Sequence, residues 1–193
     1  MMGTQLTRLQ FHPVTPDRWE DIEKLFGKNR ACAGCWCMWW RLSRTEFSQK
    51  SGEGKKRTFK KIITSGQMPG VLAYSDGEPI GWCAIAPRDV HPTLDRSRIL
   101  KRVDDKSVWS VTCFYVARGY RGQGVTGQLL AAAIEFARER GARIIESYPI
   151  DSGGAKKDAG SVFTGLLPTF EKAGFVEVER RSPTRPIMRY HVK

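Results

Sequence analysis

At 193 residues, with 40% hydrophobic and 27% charged residues, the chain has the make-up of one globular domain with a real core, expected to span residues 1–193. No apolar run approaches membrane-spanning length, and the opening MMGTQLTRLQ lacks a signal-peptide apolar region and places its glycine one position too late for myristoylation, so a cytoplasmic location without a membrane partner is expected. A net charge of +12 suits any polyanionic partner, nucleic acid or phosphate-rich small molecule alike, and five cysteines in a chain without export signals argue against disulfides.

Leu6 to Phe11 alternates as a first strand. Thr15-Pro16-Asp17 then supplies an N-cap, a proline at the first helical position and an acid near the positive helix end; the following helix should bury Trp19, Ile22, Leu25 and Phe26 and stop at Gly27. Ala31–Leu42, ACAGCWCMWWRL, is the least ordinary stretch. Cys32, Cys35 and Cys37 read as small apolar residues packed beside Trp36, Met38, Trp39 and Trp40; a zinc site is the competing reading, with His12 or His91 as the missing fourth ligand. Glu46 to Ser65 places Phe59, Ile62 and Ile63 at helical spacing, and Arg41 to Lys61 holds eight Lys/Arg against two Glu. That pattern is a surface helix with a solvated basic face, and RNA binding is admitted without being favoured. Val71–Ser75, Asp76-Gly77 and Ile80–Ile85 form a hairpin, and Pro87–Lys106 reads as a loop with a short helix at Asp95–Arg102.

Val108–Val116 is a β-branched and aromatic strand; Leu129, Leu130, Ala133, Ile134 and Ala137 are the apolar stripe of a helix that Gly141 stops. Between them, Arg118 to Gly127 (RGYRGQGVTG) brings backbone N–H groups to a helix N-terminus beside two guanidiniums, a phosphate cradle. Gly122-x-Gly124-x-x-Gly127 also spells the dinucleotide fingerprint, with Glu146 at the right distance for a ribose, which makes an NAD(P)-dependent oxidoreductase a competing reading. A dinucleotide fold, however, usually opens on this unit, and here over half the chain precedes it. Beyond it lie a strand at Ala142–Ile150, a Gly-rich loop at Asp151–Gly160, a helix from Ser161 to Ala173-Gly174, and strands at Phe175–Arg180 and Ile187–Val192.

Arg121-Gly-Gln-Gly124 after a strand, followed later by Phe170-Glu-Lys-Ala-Gly-Phe175, resembles the two signatures of the GNAT-type N-acetyltransferase superfamily, in the right order, over roughly Gly70 to Val192. The resemblance implies an α/β (α+β) fold with a mixed, mostly antiparallel sheet flanked by helices, its first helices over the acceptor mouth, so that the aromatic Ala31–Leu42 segment is expected to line the acceptor pocket as well as to pack. It also implies acetyl-CoA as cofactor, its pyrophosphate held by Arg121, Gly122, Gln123, Gly124, Val125, Thr126 and Gly127, and backbone N–H groups around Phe114, Tyr115 and Val116 polarising the thioester carbonyl. No metal is implied. The acceptor would be a small-molecule or peptide amine that attacks the thioester directly; a homodimer is compatible, as is a scaffold that mainly binds RNA and CoA.

Two departures bear on catalysis. Val108–Val116 carries no acid, and Phe170 stands where relatives have a tyrosine. Neutralising a lysine-like amine at pH 7 costs about 4.6 kcal/mol and an α-amine about 1, so a base matters far more for the former. Glu146, flanked by Ile144 and Ile145, is the expected base, with Asp151, His91 or a water chain as alternatives; Tyr148, on the same strand face, is the expected acid, with Tyr115 or Cys113 as substitutes. The competing reading makes Glu146 a structural carboxylate.

Overall fold

The computed structural model describes residues 8–30, 34–155, 158 and 160–193, so Leu6, Thr7 and Cys32, together with part of the Asp151–Gly160 loop, lie outside the described residues. The first strand, β1, is Gln10–Pro13. Pro16 opens a 3-10 turn and α1 follows at Trp19–Arg30. The helix passes through Gly27 instead of stopping there: that residue keeps an ordinary negative φ, and Phe26 stacks on Phe59 and meets Trp82 and Tyr115 edge-on, which ties this turn to the sheet.

The basic segment is two helices where one was expected. Ser43 and Glu46 form a reciprocal capping box that starts α2 (Arg44–Gln49), and the Ser51 hydroxyl accepts from the Gly54 N–H to start α3 (Gly52–Thr64). The remaining elements are β2 (Gly70–Ser75), β3 (Glu78–Pro87), α4 (Pro92–Asp95), β4 (Trp109–Val116), α5 (Val125–Arg138), β5 (Ile144–Ser147), α6 (Leu167–Lys172), β6 (Val176–Arg180) and β7 (Pro186–His191). Two helices are therefore displaced from expectation. The short loop helix begins at Pro92, not Asp95, and the late helix begins next to Pro168 because Gly165, at φ +87°, ends the preceding turns.

The strands form one seven-stranded sheet in the order β1-β2-β3-β4-β5-β7-β6, with β4–β5 the parallel pair and the other neighbours antiparallel. On one face α5 buries Leu129, Leu130, Ala133 and Ala137 against Ala73, Ile85 and Val111. Gly81 lets the helix sit this close, since a Cβ there would lie 2.9 Å from Leu129 Cδ1. On the other face α1 and α3 bring Ile22, Phe26, Phe59 and Ile63 onto Leu72, Tyr74 and Trp82.

One irregularity positions everything that follows. A bulge at the β3–β4 register shift sets Ala84 opposite Cys113 and Ile85 opposite Val111, so Thr112 is the extra residue. The strand β4 then pairs with β5 only through Trp109, Ser110 and Val111. Its second half leaves β5, and the 160–166 segment enters the opening, with the Phe114 N–H donating to the Phe163 carbonyl at 2.6 Å.

Candidate active site at the splayed strand

The cradle forms where β4 ends. Alternation along the strand turns the backbone of Phe114 and Val116 toward the gap and that of Tyr115 toward Trp82 on β3. Arg121 Nε donates to the Val116 carbonyl at 2.8 Å, tying the loop to the strand end. Gly122 and Gly124 take φ of +74° and +79°, conformations open to glycine, and Gly124 is the N-cap of α5 with no side chain capping it. The N–H groups of Val125 and Thr126, in the first turn, have no intrahelical acceptor, whereas those of Gly127 and Gln128 fold back on the Gly124 carbonyl. A Cβ at Gly122, Gly124 or Gly127 would meet nothing within 4 Å, so the cradle surface is open backbone at a positive helix end.

Two adjoining cavities record this. One of about 380 Å³ is lined by Val116, Arg121, Gly122, Gly124 to Gly127 and Lys172 among others; a second of about 390 Å³ runs back along Phe114, Tyr115 and Val116 beneath the 160–166 segment. Of the expected cradle residues, Gln123 lines neither and instead braces the turn by donating from Nε2 to the Gly119 carbonyl at 3.0 Å. The Phe114 N–H, expected to polarise a carbonyl, is engaged by Phe163; on this edge the Val116 N–H faces the gap.

A third cavity, about 320 Å³, opens on the α1/α3 face and shares Tyr115 and Gly160 with the channel along β4. Its walls include Phe26, Trp36, Trp39, Trp40, Trp82 and Phe163; among the described residues Lys55 is its one charged lining side chain, and no carboxylate borders it. The indole N–H of Trp40 donates to the Thr112 carbonyl at 3.2 Å and so pins the tryptophan-rich segment to the β4 bulge. Cys35, Cys37 and Cys113 also line this cavity; Cys32 lies outside the described residues, among which no group of three or more His, Cys, Asp or Glu is arranged to hold a metal.

Cys37 stands apart chemically. Hydrogen bonds from the Cys113 thiol and the Trp82 indole N–H (3.0 Å), together with the Arg41 charge, hold its thiol below the ordinary value of 9.0 against the opposing effect of burial. Trp36 and Cys37 both adopt left-handed φ, 47° and 54°, which for non-glycine residues marks a strained turn held by its surroundings.

Glu146 and Tyr148 sit elsewhere, in a buried ionic network at the paired end of β4 and β5. Glu146 is 1% exposed, and its oxygens accept from Arg88 Nη1 (3.0 Å), Arg189 Nε (2.9 Å) and the Tyr148 hydroxyl (2.7 Å). Arg88 also donates to Tyr148, Asp95 and the Leu100 carbonyl, while Arg189 grips Asp104 with two bonds. Burial foremost, then the Glu146 charge, pushes the Tyr148 phenol well above its ordinary value of 10.0. Neither residue lines the three cavities described above. The nicotinamide reading fails on the same ground, because the acid it needs for a ribose is buried between two arginines in a sheet that is mostly antiparallel. No sequence signal singled out Arg88, since its partners come from the 95–100 stretch and from β5 and its end, more than fifty residues further on.

His91, 1% exposed beside this network, has a pKa well below 6.5 because burial, and then the charges of Arg41 and Arg88, oppose protonation. Between the folded value and 6.5 the unfolded chain binds the extra proton, so stability is full above about pH 6.5 and falls as pH drops toward the folded value. The expected slope is up to about 1.4 kcal/mol per pH unit for this one group. Urea unfolding between pH 6.5 and 5 should show it in the difference between the wild type and His91→Gln.

A family model described as Acetyltransferase (GNAT) family matches residues 36–152. Among solved structures, the chain is similar to a protein from Desulfovibrio desulfuricans described as an acetyltransferase of the GNAT family, at 16% identity and a TM-score of 0.56, over 96% of this chain and 100% of that one. It is also similar to the PaiA N-acetyltransferase of Thermoplasma acidophilum in complex with coenzyme A (13% identity, TM-score 0.51, 96% and 99% covered). A third is YncA of Salmonella typhimurium, described as an acetyltransferase with its cofactor acetyl-CoA (14% identity, TM-score 0.55, 97% and 95% covered). No curated protein matches the chain. At these identities the structural likeness speaks for the fold, and the family match, which spans more than half the chain, goes further: the chain belongs to the GNAT acetyltransferase family, whose cofactor is acetyl-CoA.

Proposed function

We propose that this protein moves the acetyl group of acetyl-CoA onto a primary amine by direct attack, in one ternary complex. The observation that carries the reading is the meeting of two unlike cavities at the splayed half of β4, one running to an uncapped helix N-terminus and the other apolar and aromatic, with Tyr115 and Gly160 as shared wall. The cradle fits a pyrophosphate: free first-turn N–H groups, glycine surface without side chains, and Arg121 and Lys172 at its border. Arg121, Gly122, Gly124, Val125, Thr126 and Gly127 would hold it, and Gln123 would keep the loop in shape. When bound, the cofactor supplies an activated acetyl thioester. The aromatic walls exclude water from the amine, and Val116 offers its backbone to the arm of the donor.

The proton needs a taker. Glu146 is committed to Arg88 and Arg189, and we assign it, with Tyr148, to holding the sheet together. Within the acceptor cavity Cys37 is the group whose thiol is held below its ordinary range, so its thiolate is placed to accept the proton that the amine gives up as its bond to carbon forms. Since the thiolate is the working form, kcat/KM should rise with pH through the Cys37 pKa, below the usual thiol range. Cys37→Ala should remove that limb and lower kcat/KM about tenfold to a hundredfold. Rate profiles of both proteins from pH 6 to 10 check this.

The reading as a whole is tested by calorimetric titration with acetyl-CoA and NAD. Saturable binding of acetyl-CoA that weakens in Arg121→Ala, with no binding of NAD, is expected; absence of acetyl-CoA binding would refute it.

A further inference from the structure

The acceptor cavity has a charge pattern of its own, which rests on the transferase reading and narrows the substrate. An amine that arrives as an ammonium ion is served by a carboxylate near the reacting nitrogen, both to attract it and to take its proton. Here no carboxylate lines the cavity among the described residues. Its aromatic walls are also partly occupied as cation partners, because the protein's own cations already face three of the rings. Arg44 lies 3.7 Å from the Trp39 centroid, Lys55 lies 4.1 Å from that of Phe47, and Lys56 lies 5.6 Å from that of Trp36. Arg41 adds a further positive charge close to Cys37. An ammonium ion entering here would lose water, meet the charges of Lys55, Arg41 and their neighbours, and find no carboxylate among the described residues, the Cys37 thiolate being already held by Trp82 and Cys113.

A flat apolar body meets the opposite conditions. Trp36, Trp39, Trp40, Trp82 and Phe163 offer stacking and edge contacts around about 320 Å³, room for a single- or double-ring molecule. Lys55, the one charged wall residue among those described, would attract an anionic substituent. We propose that the acceptor is a weakly basic aromatic amine, already neutral at pH 7, whose ring also carries a negative group that faces Lys55. Cationic aliphatic amines such as agmatine, polyamines and lysine side chains are disfavoured by the same pattern. In the step itself the amine nitrogen bonds to the acetyl carbon and the carbon–sulfur bond breaks. The bonding pair leaves on the CoA sulfur, and the proton shed by nitrogen passes through Cys37 or water to that sulfur or to solvent.

The test is a panel of para-aminobenzoate, aniline, benzylamine and agmatine with acetyl-CoA, following free thiol and N-acetyl product together. We expect kcat/KM to fall in that order, with para-aminobenzoate at least a hundredfold above agmatine. In Lys55→Glu the ratio of para-aminobenzoate to aniline should fall at least tenfold, and because this ratio is taken within one protein it is insensitive to the amount folded. Agmatine or benzylamine outpacing both arylamines, or a ratio unmoved by Lys55→Glu, would overturn the substrate class while leaving acetyl transfer standing. Binding of acetyl-CoA without product from any amine would overturn both.

Discussion

Replacing Arg88 by methionine is expected to destabilise the fold by about 3–5 kcal/mol, the usual cost of stripping one partner from a buried ionic network. Arg88 is 2% exposed and serves Glu146, Tyr148, Asp95 and the Leu100 carbonyl, so its loss leaves Glu146 with Arg189 alone among charges and the carbonyl without that donor. At this chain length each kcal/mol moves the melting temperature by about 2–4 °C, which makes the drop easy to see by calorimetry. The double variant Arg88→Met, Glu146→Gln should recover at least about 2 kcal/mol, because the stranded carboxylate is gone. The same pair separates two roles for Glu146. As a catalytic base its loss would lower turnover in a protein of unchanged stability; as the hub of this network, Glu146→Gln lowers stability and leaves the Cys37 limb of the pH profile in place.

The second large effect concerns the cradle. Gly127→Asp should weaken CoA binding about a hundredfold while the protein becomes no less stable. Position 127 is the third residue of α5, its φ is ordinary, and a Cβ there meets nothing within 4 Å. An acid in a first helical turn is favourable by about 0.3–1 kcal/mol, and replacing a helical glycine adds to that. For one phosphate charge at an illustrative separation of about 5 Å, the same carboxylate would cost about 3 kcal/mol at an effective dielectric constant near 20, or roughly a hundredfold in affinity. Gly127→Asn, which lacks the charge, should cost far less. Thermal unfolding and CoA titration on the same samples check both signs.

These contrasts follow from what local pattern can and cannot carry. The Arg121–Gly127 cradle, the strand before it and the helix after it were legible because glycine spacing, β-branching and the apolar stripe are all local. So was the β2–β3 hairpin around Asp76-Gly77, whose φ values of +50° and +78° suit that dipeptide. The split between α2 and α3 was also within reach, since Ser43-x-x-Glu46 spells a capping box, and Gly165 with Pro168 marked the start of α6. The buried network was beyond local reading. Glu146 between two isoleucines looks like a carboxylate in need of a task, and only the folding of β5 against β4 and β7 shows Arg88 and Arg189 closing on it. The bulge at Thr112 was equally hidden, as it arises from the register with β3 and from Trp40 reaching back across the chain.

Passage of acetyl from CoA to an amine at this cradle is tested by a single time course. Protein, acetyl-CoA labelled in the acetyl group and para-aminobenzoate are mixed, and labelled product and free CoA thiol are followed together. N-acetyl product and thiol are expected in one-to-one ratio, both lowered at least tenfold in Gly127→Asp at donor concentrations below saturation. Thiol release without labelled product, or product formed equally well by Gly127→Asp, would contradict it.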